Sequence, residues 1–165
     1  MLPIINQPSP NFNERHSGVI PSLVVLHYTD VETIKEALDI LTDPTREVSS
    51  HYLIDTDGCV YRLVEETKRA WHAGPSHWRG LENINHYSIG IELQNYGYEF
   101  YKKHLRWPPY TPELMKSLVA LIKDIQTRYP IEINNIVGHN HIAPSRKIDP
   151  GPHFDWSYLR SCFSL

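Results

Sequence analysis

Apolar positions recur along this chain with two different periods, and the switches between them mark out its elements. The run SLVVLHYT, residues 22–29, is continuous and rich in β-branched residues. It predicts a strand buried on both faces, with His27 near its C-terminal end. In ETIKEALDIL, Ile34, Ala37, Leu38 and Leu41 fall at helical spacing, and TDP ends that helix. HYLIDTDGCVYRLV predicts a hairpin turning at Asp57-Gly58. SIGIEL alternates, with Ile89, Ile91 and Leu93 on one side and Ser88, Gly90 and Glu92 on the other. The clearest helix is TPELMKSLVALIKDIQTRYP, with Thr111 as N-cap and Pro112 at N1. Leu114, Leu118, Leu121, Ile122, Ile125 and Tyr129 share its apolar face, and Pro130 stops it. INNIVG then predicts a short strand.

Two stretches lack such a period. Residues 1–20 are rich in Pro and Asn and read as an N-terminal arm, leaving residues 21–165 as one domain. Residues 67–87 read as a long loop rich in Trp and His. Strands and helices in this order imply an α/β fold, a sheet flanked by helices with its function on loops at one edge.

Composition narrows the classes. The 165 residues suffice for one domain with a real core, and 41% hydrophobic with 21% charged residues describe a globular chain. A net charge of −3 with scattered basic residues gives no reason to expect nucleic acid or an anionic membrane as partner. The only cysteines, Cys59 and Cys162, form neither a disulfide framework nor a thiolate metal site. No apolar run reaches membrane-spanning length, and the N-terminus has no basic segment followed by an apolar one. The expected location is cytoplasmic, or periplasmic or envelope if an export signal has been removed.

The chemistry concentrates in GHNHIAPSRKIDPGPHFDW, residues 138–156. A catalytic zinc site takes about three N or O ligands and keeps one position open. His139 and Asp149 are candidates, and a histidine from a distant strand could complete the set. His-x-His is also a workable chelate on an extended chain, so spacing alone leaves His139 with Asp149 and His139 with His141 both open. H-E-x-x-H is absent, which removes a helical zinc-protease site.

VVLHYT, SSHYLIDTDG, WHAG, SIGIEL and GHNHIAPSRKIDPGPHFDW, in that order, resemble the zinc-dependent N-acetylmuramoyl-L-alanine amidases of the type 2, or AmpD-like, class. The resemblance runs from about residue 20 to 160, and the arm with the first strand is somewhat closer to the AmiD-like branch. It implies a single domain with a central mixed β-sheet flanked by α-helices. It further implies one zinc ion on His27, His139 and Asp149, with Glu92 as general base toward water and Lys147 as the cation facing the oxyanion. His141 stands where family members commonly carry Asp. The implied bond is the amide between N-acetylmuramic acid, in its intact or 1,6-anhydro form, and L-alanine of a peptidoglycan stem peptide. The partner is then a muropeptide or peptidoglycan.

Candidates for substrate contact are His51 at the start of the hairpin, and Trp71, His72, Trp78 and Arg79 in the long loop. Aromatic faces suit sugar or peptide, and an arginine suits a carboxylate. The competing role for Trp71 and Trp78 is to anchor the loop. Asp155 is expected to cap a last helix beginning at WSYLR. Two rivals to the enzyme reading are a peptidoglycan-binding module without catalysis and a structural zinc domain, closed by His141 as fourth ligand.

Overall fold

The computed structural model describes residues 3–163, apart from the side chain of Glu99. Its strands are β1 (Ile4–Asn6), β2 (Phe12–Glu14), β3 (Leu23–Tyr28), β4 (Tyr52–Ile54), β5 (Val60–Arg62), β6 (Lys68–Ala70), β7 (His77–Trp78), β8 (Leu81–Glu82), β9 (Ser88–Leu93) and β10 (Ile136–Gly138). Its helices are α1 (Ile34–Thr42), α2 (Gly97–His104), α3 (Pro112–Gln126), α4 (His139–Ile142) and α5 (Trp156–Ser161). A six-stranded sheet in the order β1-β5-β4-β9-β3-β10 forms the centre. β4 and β5 run antiparallel as the expected hairpin, and the other neighbours are parallel. The sheet is therefore mixed and flanked by helices, as the sequence implies. No helix of the described residues is long and apolar enough to cross a membrane.

The two long helices form where their caps and periods place them. Thr111 Oγ1 accepts from the Leu114 N–H at 3.2 Å and Pro112 opens α3. The α3 stripe of Leu114, Leu118, Leu121, Ile122 and Ile125 is buried against Val24 and Leu26 of β3 and Ile89, Ile91 and Leu93 of β9. On the opposite face of the sheet, Ala37 and Leu41 of α1 pack on Leu53 and Leu63. Thr33 caps α1 by accepting from the Glu36 N–H, and Asp155 caps α5 by accepting from Tyr158 N–H at 2.8 Å.

Residues 3–20 do more than lead into the domain. β1 extends the sheet beside β5, and β2 pairs with β6. Arg15 drives its guanidinium into the body, donating to the carbonyls of Glu66, Asn85, His86 and Ser88. Residues 67–87 likewise contain β6, the β7–β8 pair and a 3₁₀ turn at Ile84–His86 rather than loop alone. Strands of two or three residues are too short to show a period, and their partners lie far away in sequence. α2 had no sequence expectation.

The register decides where the site falls. His27 lies opposite Glu92 on neighbouring parallel strands, with Val25 opposite Gly90 and Leu23 opposite Ser88. Since side chains alternate, all six face away from α3. His27 and Glu92 sit near the C-terminal ends of their strands, and β10 delivers His139 beside them at the start of α4. The edge outside the carboxyl ends of parallel strands is where open α/β sheets bind ligands.

Candidate metal centre and active site

Nδ1 of His27, Nδ1 of His139 and Oδ2 of Asp149 form a triangle with every edge 3.0 Å. The three residues are 2%, 3% and 5% exposed, too buried for the triangle to be a chance surface meeting. Among the described residues they are the one His/Cys/Asp/Glu group close enough to hold an ion. The outer nitrogens are already engaged: His27 Nε2 lies 3.0 Å from His72 Nδ1, and His139 Nε2 lies 3.0 Å from the Ala73 carbonyl oxygen. That leaves the Nδ1 lone pairs directed inward beside a carboxylate. Two nitrogens and an oxygen converging on one point fit a zinc-type cation.

Electrostatics favour the same state. Burial holds His27 at about 4, so its imidazole is neutral at physiological pH. Burial also raises Asp149, but the adjoining imidazoles of His139 and His27 outweigh it and hold the carboxyl well below its usual range. Glu92 behaves oppositely. Burial, and then the Asp149 charge, push its carboxyl well up, with Lys147 pulling partly back. Its Oε2 is enclosed and has no hydrogen-bond partner among the described residues. A carboxylate left in this condition is costly unless something uses it.

His141 takes no part in the triangle. The chain turns into α4 at Gly138, so residues two apart diverge by about 200° around the helix axis instead of pointing together. The His141 Nδ1 accepts from the Gly138 N–H at 2.9 Å and its ring packs 5.3 Å from Trp156. The His139–His141 chelate and the closed four-ligand site are both incompatible with this turn. Three ligands leave a position open.

A cavity of about 610 Å³ opens onto the triangle, lined by Glu92, His72, Lys147, Arg146, Tyr28 and Tyr98 among others. Lys147 faces it from a turn closed by its own N–H donating to the Ala143 carbonyl, not from an extended segment. A second hollow of similar size, bordered by Tyr96, Phe100 and Trp107, contains none of these groups.

The substrate-contact candidates separate in space. His51 is fully buried, its Nδ1 accepting from the Gly90 N–H at 2.9 Å and its Nε2–H donating to the Lys68 carbonyl at 3.1 Å. No part of it can meet a substrate; it fixes the backbone of β9. His72 borders the cavity, yet both its ring nitrogens face protein partners, His27 and Ser88. Trp71 donates its indole N–H to Asn13 Oδ1 and ties the loop to the arm. Trp78 packs on the cluster of Leu23, Val25 and Ile84, with the Arg79 guanidinium 5.3 Å over its ring. Neither Trp71, Trp78 nor Arg79 lines the cavity. The walls use Tyr28, Tyr98 and Arg146 instead. Arg146 sits beside Lys147 in the motif-rich stretch and could have been found there, while Tyr98 lies in a segment with no readable pattern.

An open three-ligand set beside an enclosed carboxylate, on the carboxyl edge of a mixed sheet, is an arrangement suited to metal-assisted hydrolysis. The family model for N-acetylmuramoyl-L-alanine amidases matches residues 17–152, and the chain belongs to that family. It is 42% identical to N-acetylmuramoyl-L-alanine amidase AmiD of Escherichia coli K12 over 83% of this chain, though it spans only 51% of that relative. It is 38% identical to 1,6-anhydro-N-acetylmuramyl-L-alanine amidase AmpD of Citrobacter freundii, over 93% of this chain and 87% of the relative. Among solved structures, E. coli AmiD in complex with anhydro-N-acetylmuramic acid-L-Ala-D-γ-Glu-L-Lys superposes with a TM-score of 0.80 at 35% identity, covering 93% of this chain and 66% of that one.

Proposed function

We propose that this protein hydrolyses the amide between the lactyl group of N-acetylmuramic acid and L-alanine of a stem peptide, with one zinc ion held by His27, His139 and Asp149. The observation that carries this reading is the enclosed, unpartnered Glu92 Oε2 beside the ligand triangle. When bound, zinc would act as a Lewis acid toward the scissile carbonyl and make a water more acidic. Glu92 takes the proton of the attacking water and returns it to the leaving amine, and its raised pKa suits both halves of that exchange. Water oxygen bonds to the carbonyl carbon, the C–N bond breaks, and the amine departs neutral. Lys147 faces the cavity from the Asp149 side and stabilises the charge that develops on the carbonyl oxygen. Tyr28 and Tyr98 bound the space in which the muramyl peptide is held. A non-catalytic binding module has no use for an unpaired enclosed carboxylate.

The names of the relatives and the ligand in one of their structures support an anhydro-muropeptide as substrate, and with it we infer a role in cell-wall recycling. The test is digestion of an anhydro-muropeptide and of intact sacculi by zinc-loaded protein, followed by mass analysis. The expected product is a free peptide beginning with L-alanine from the soluble substrate, absent with Asp149→Ala. Peptide release from sacculi as well would move the site of action to the envelope. No cleavage of either substrate by the zinc-loaded wild type would contradict the enzyme reading.

A further inference from the structure

A neutral imidazole carries its proton on one of two nitrogens, and only the other can bind a metal. Both ligand histidines present Nδ1 inward, so both must be protonated on Nε2. Their Nε2 partners come from successive residues. His139 Nε2 faces the Ala73 carbonyl, which only accepts, so that nitrogen carries the proton. His27 Nε2 faces His72 Nδ1, a nitrogen that could play either part. The choice is made one step further out. Ser88 Oγ donates its single proton to the Ile84 carbonyl at 2.8 Å and lies 3.1 Å from His72 Nε2. His72 Nε2–H must therefore donate to Ser88, His72 Nδ1 accepts, and His27 Nε2–H donates to it.

The dipeptide that holds these partners is itself clamped. The N–H groups of His72 and Ala73 both donate to Asn85 Oδ1, at 3.1 and 2.8 Å, and Asn85 is 5% exposed. The His72 ring occupies the space above Gly90, where a Cβ would collide with its Cγ. We propose that Asn85 and Ser88, neither of which touches the ligand triangle, are positioning residues that set the tautomer of the metal-binding histidines through the His72–Ala73 dipeptide. Asn85 acts on both histidines and Ser88 on His27 alone. The proposal rests on the reading that His27 and His139 hold zinc. Outer partners of metal-bound histidines typically change metal affinity by about 10–100-fold when lost.

The experiment reads tautomers and zinc affinity, not amidase activity. Two-bond ¹H–¹⁵N correlation of the imidazoles in metal-free wild type should show His27 and His139 both protonated on Nε2. Zinc affinity, measured by competition with a chromophoric chelator, should fall about 10–100-fold in Asn85→Ala, with mixed tautomers at both histidines. Asn85→Asp, whose carboxylate accepts the same two N–H groups, should restore both readouts. Ser88→Ala should disturb the tautomer of His27 and leave that of His139, a split that a general loss of structure would not produce. Nδ1 protonation of either histidine in the wild type overturns the proposal without any variant. So does zinc affinity within twofold of wild type in Ser88→Ala, which decides the matter if Asn85→Ala does not fold. Wild type with both expected tautomers but no affinity for zinc would overturn the metal reading and uphold the hydrogen-bond relay.

Discussion

The two faces of the central sheet are cut from the same strands and both bury apolar clusters, yet only one adds a buried polar network to its packing. On the α3 face, Val24, Leu26, Ile89, Ile91 and Leu93 meet a helix stripe of Leu and Ile. There the stabilisation is area removed from water, roughly 25 cal/mol per Å² of apolar surface. On the other face, the buried set includes His27, Ser50, His51, His72, Ser88 and His139. Each of these meets a hydrogen-bond partner: Ser50 Oγ donates to the Gly90 carbonyl, His51 binds Gly90 and Lys68, and Ser88 binds Ile84. Such a network holds only while every member is satisfied. Glu92 Oε2, which lies where the chemistry is proposed, is enclosed and lacks such a partner. One face supplies stability tolerant of conservative change, and the other supplies geometry that is not.

The sharpest way to separate the faces is Glu92→Gln. The amide preserves shape and should leave zinc content at one ion per chain, while amide cleavage of an anhydro-muropeptide falls about 10²–10⁴-fold. Retention of full turnover would remove Glu92 from the reaction. The converse is Leu118→Ala on the α3 face, where a fully buried side chain is deleted. It should lower unfolding free energy in urea by about 2–5 kcal/mol and leave the zinc stoichiometry of the folded protein unchanged. A loss of zinc from folded Leu118→Ala would show that the faces are not independent.

A smaller effect sharpens the comparison through pH. Burial, and then the Arg15 charge, hold His51 at about 3 in the fold, against roughly 6.5 when unfolded. Protonation therefore favours the unfolded chain, so this contribution is present above about pH 6.5 and is lost as pH falls toward 3. His51→Gln should flatten the stability profile by up to about 1.4 kcal/mol per pH unit over roughly pH 4–6. His27 and His86, held at about 4, would leave a residual slope. An unchanged slope in urea melts across that range would mean that His51 is not a buried neutral group.

The same contrast explains what could be read in the sequence. The α3 face was legible because burying apolar area leaves a period, visible in Leu114, Leu118, Leu121, Ile122 and Ile125. Its start was legible because Thr111 and Pro112 act locally. Glu92 was visible as a lone carboxylate in an apolar alternation, and His27 as a histidine at a strand end. The polar network had no such signature, because hydrogen bonds pair residues distant in sequence, such as Arg15 with Ser88 and His72 with Asn85. Hence His51, Trp71 and Trp78, reasonable as substrate contacts by residue type, lie in or against the framework, and Arg79 lies exposed over the Trp78 ring. His141 remained ambiguous for a different reason: its direction depends on whether the chain after Gly138 is extended or helical, a choice made by the fold around it.

One metal ion held among His27, His139 and Asp149, with His141 excluded, would define the site. Anomalous diffraction at the zinc edge from crystals of the zinc-loaded protein tests this directly. A single peak bonded to these three residues, with His141 still turned toward Gly138 and Trp156, is the expected result. A peak bonded to His141, or none near the triangle at full zinc occupancy, would contradict it.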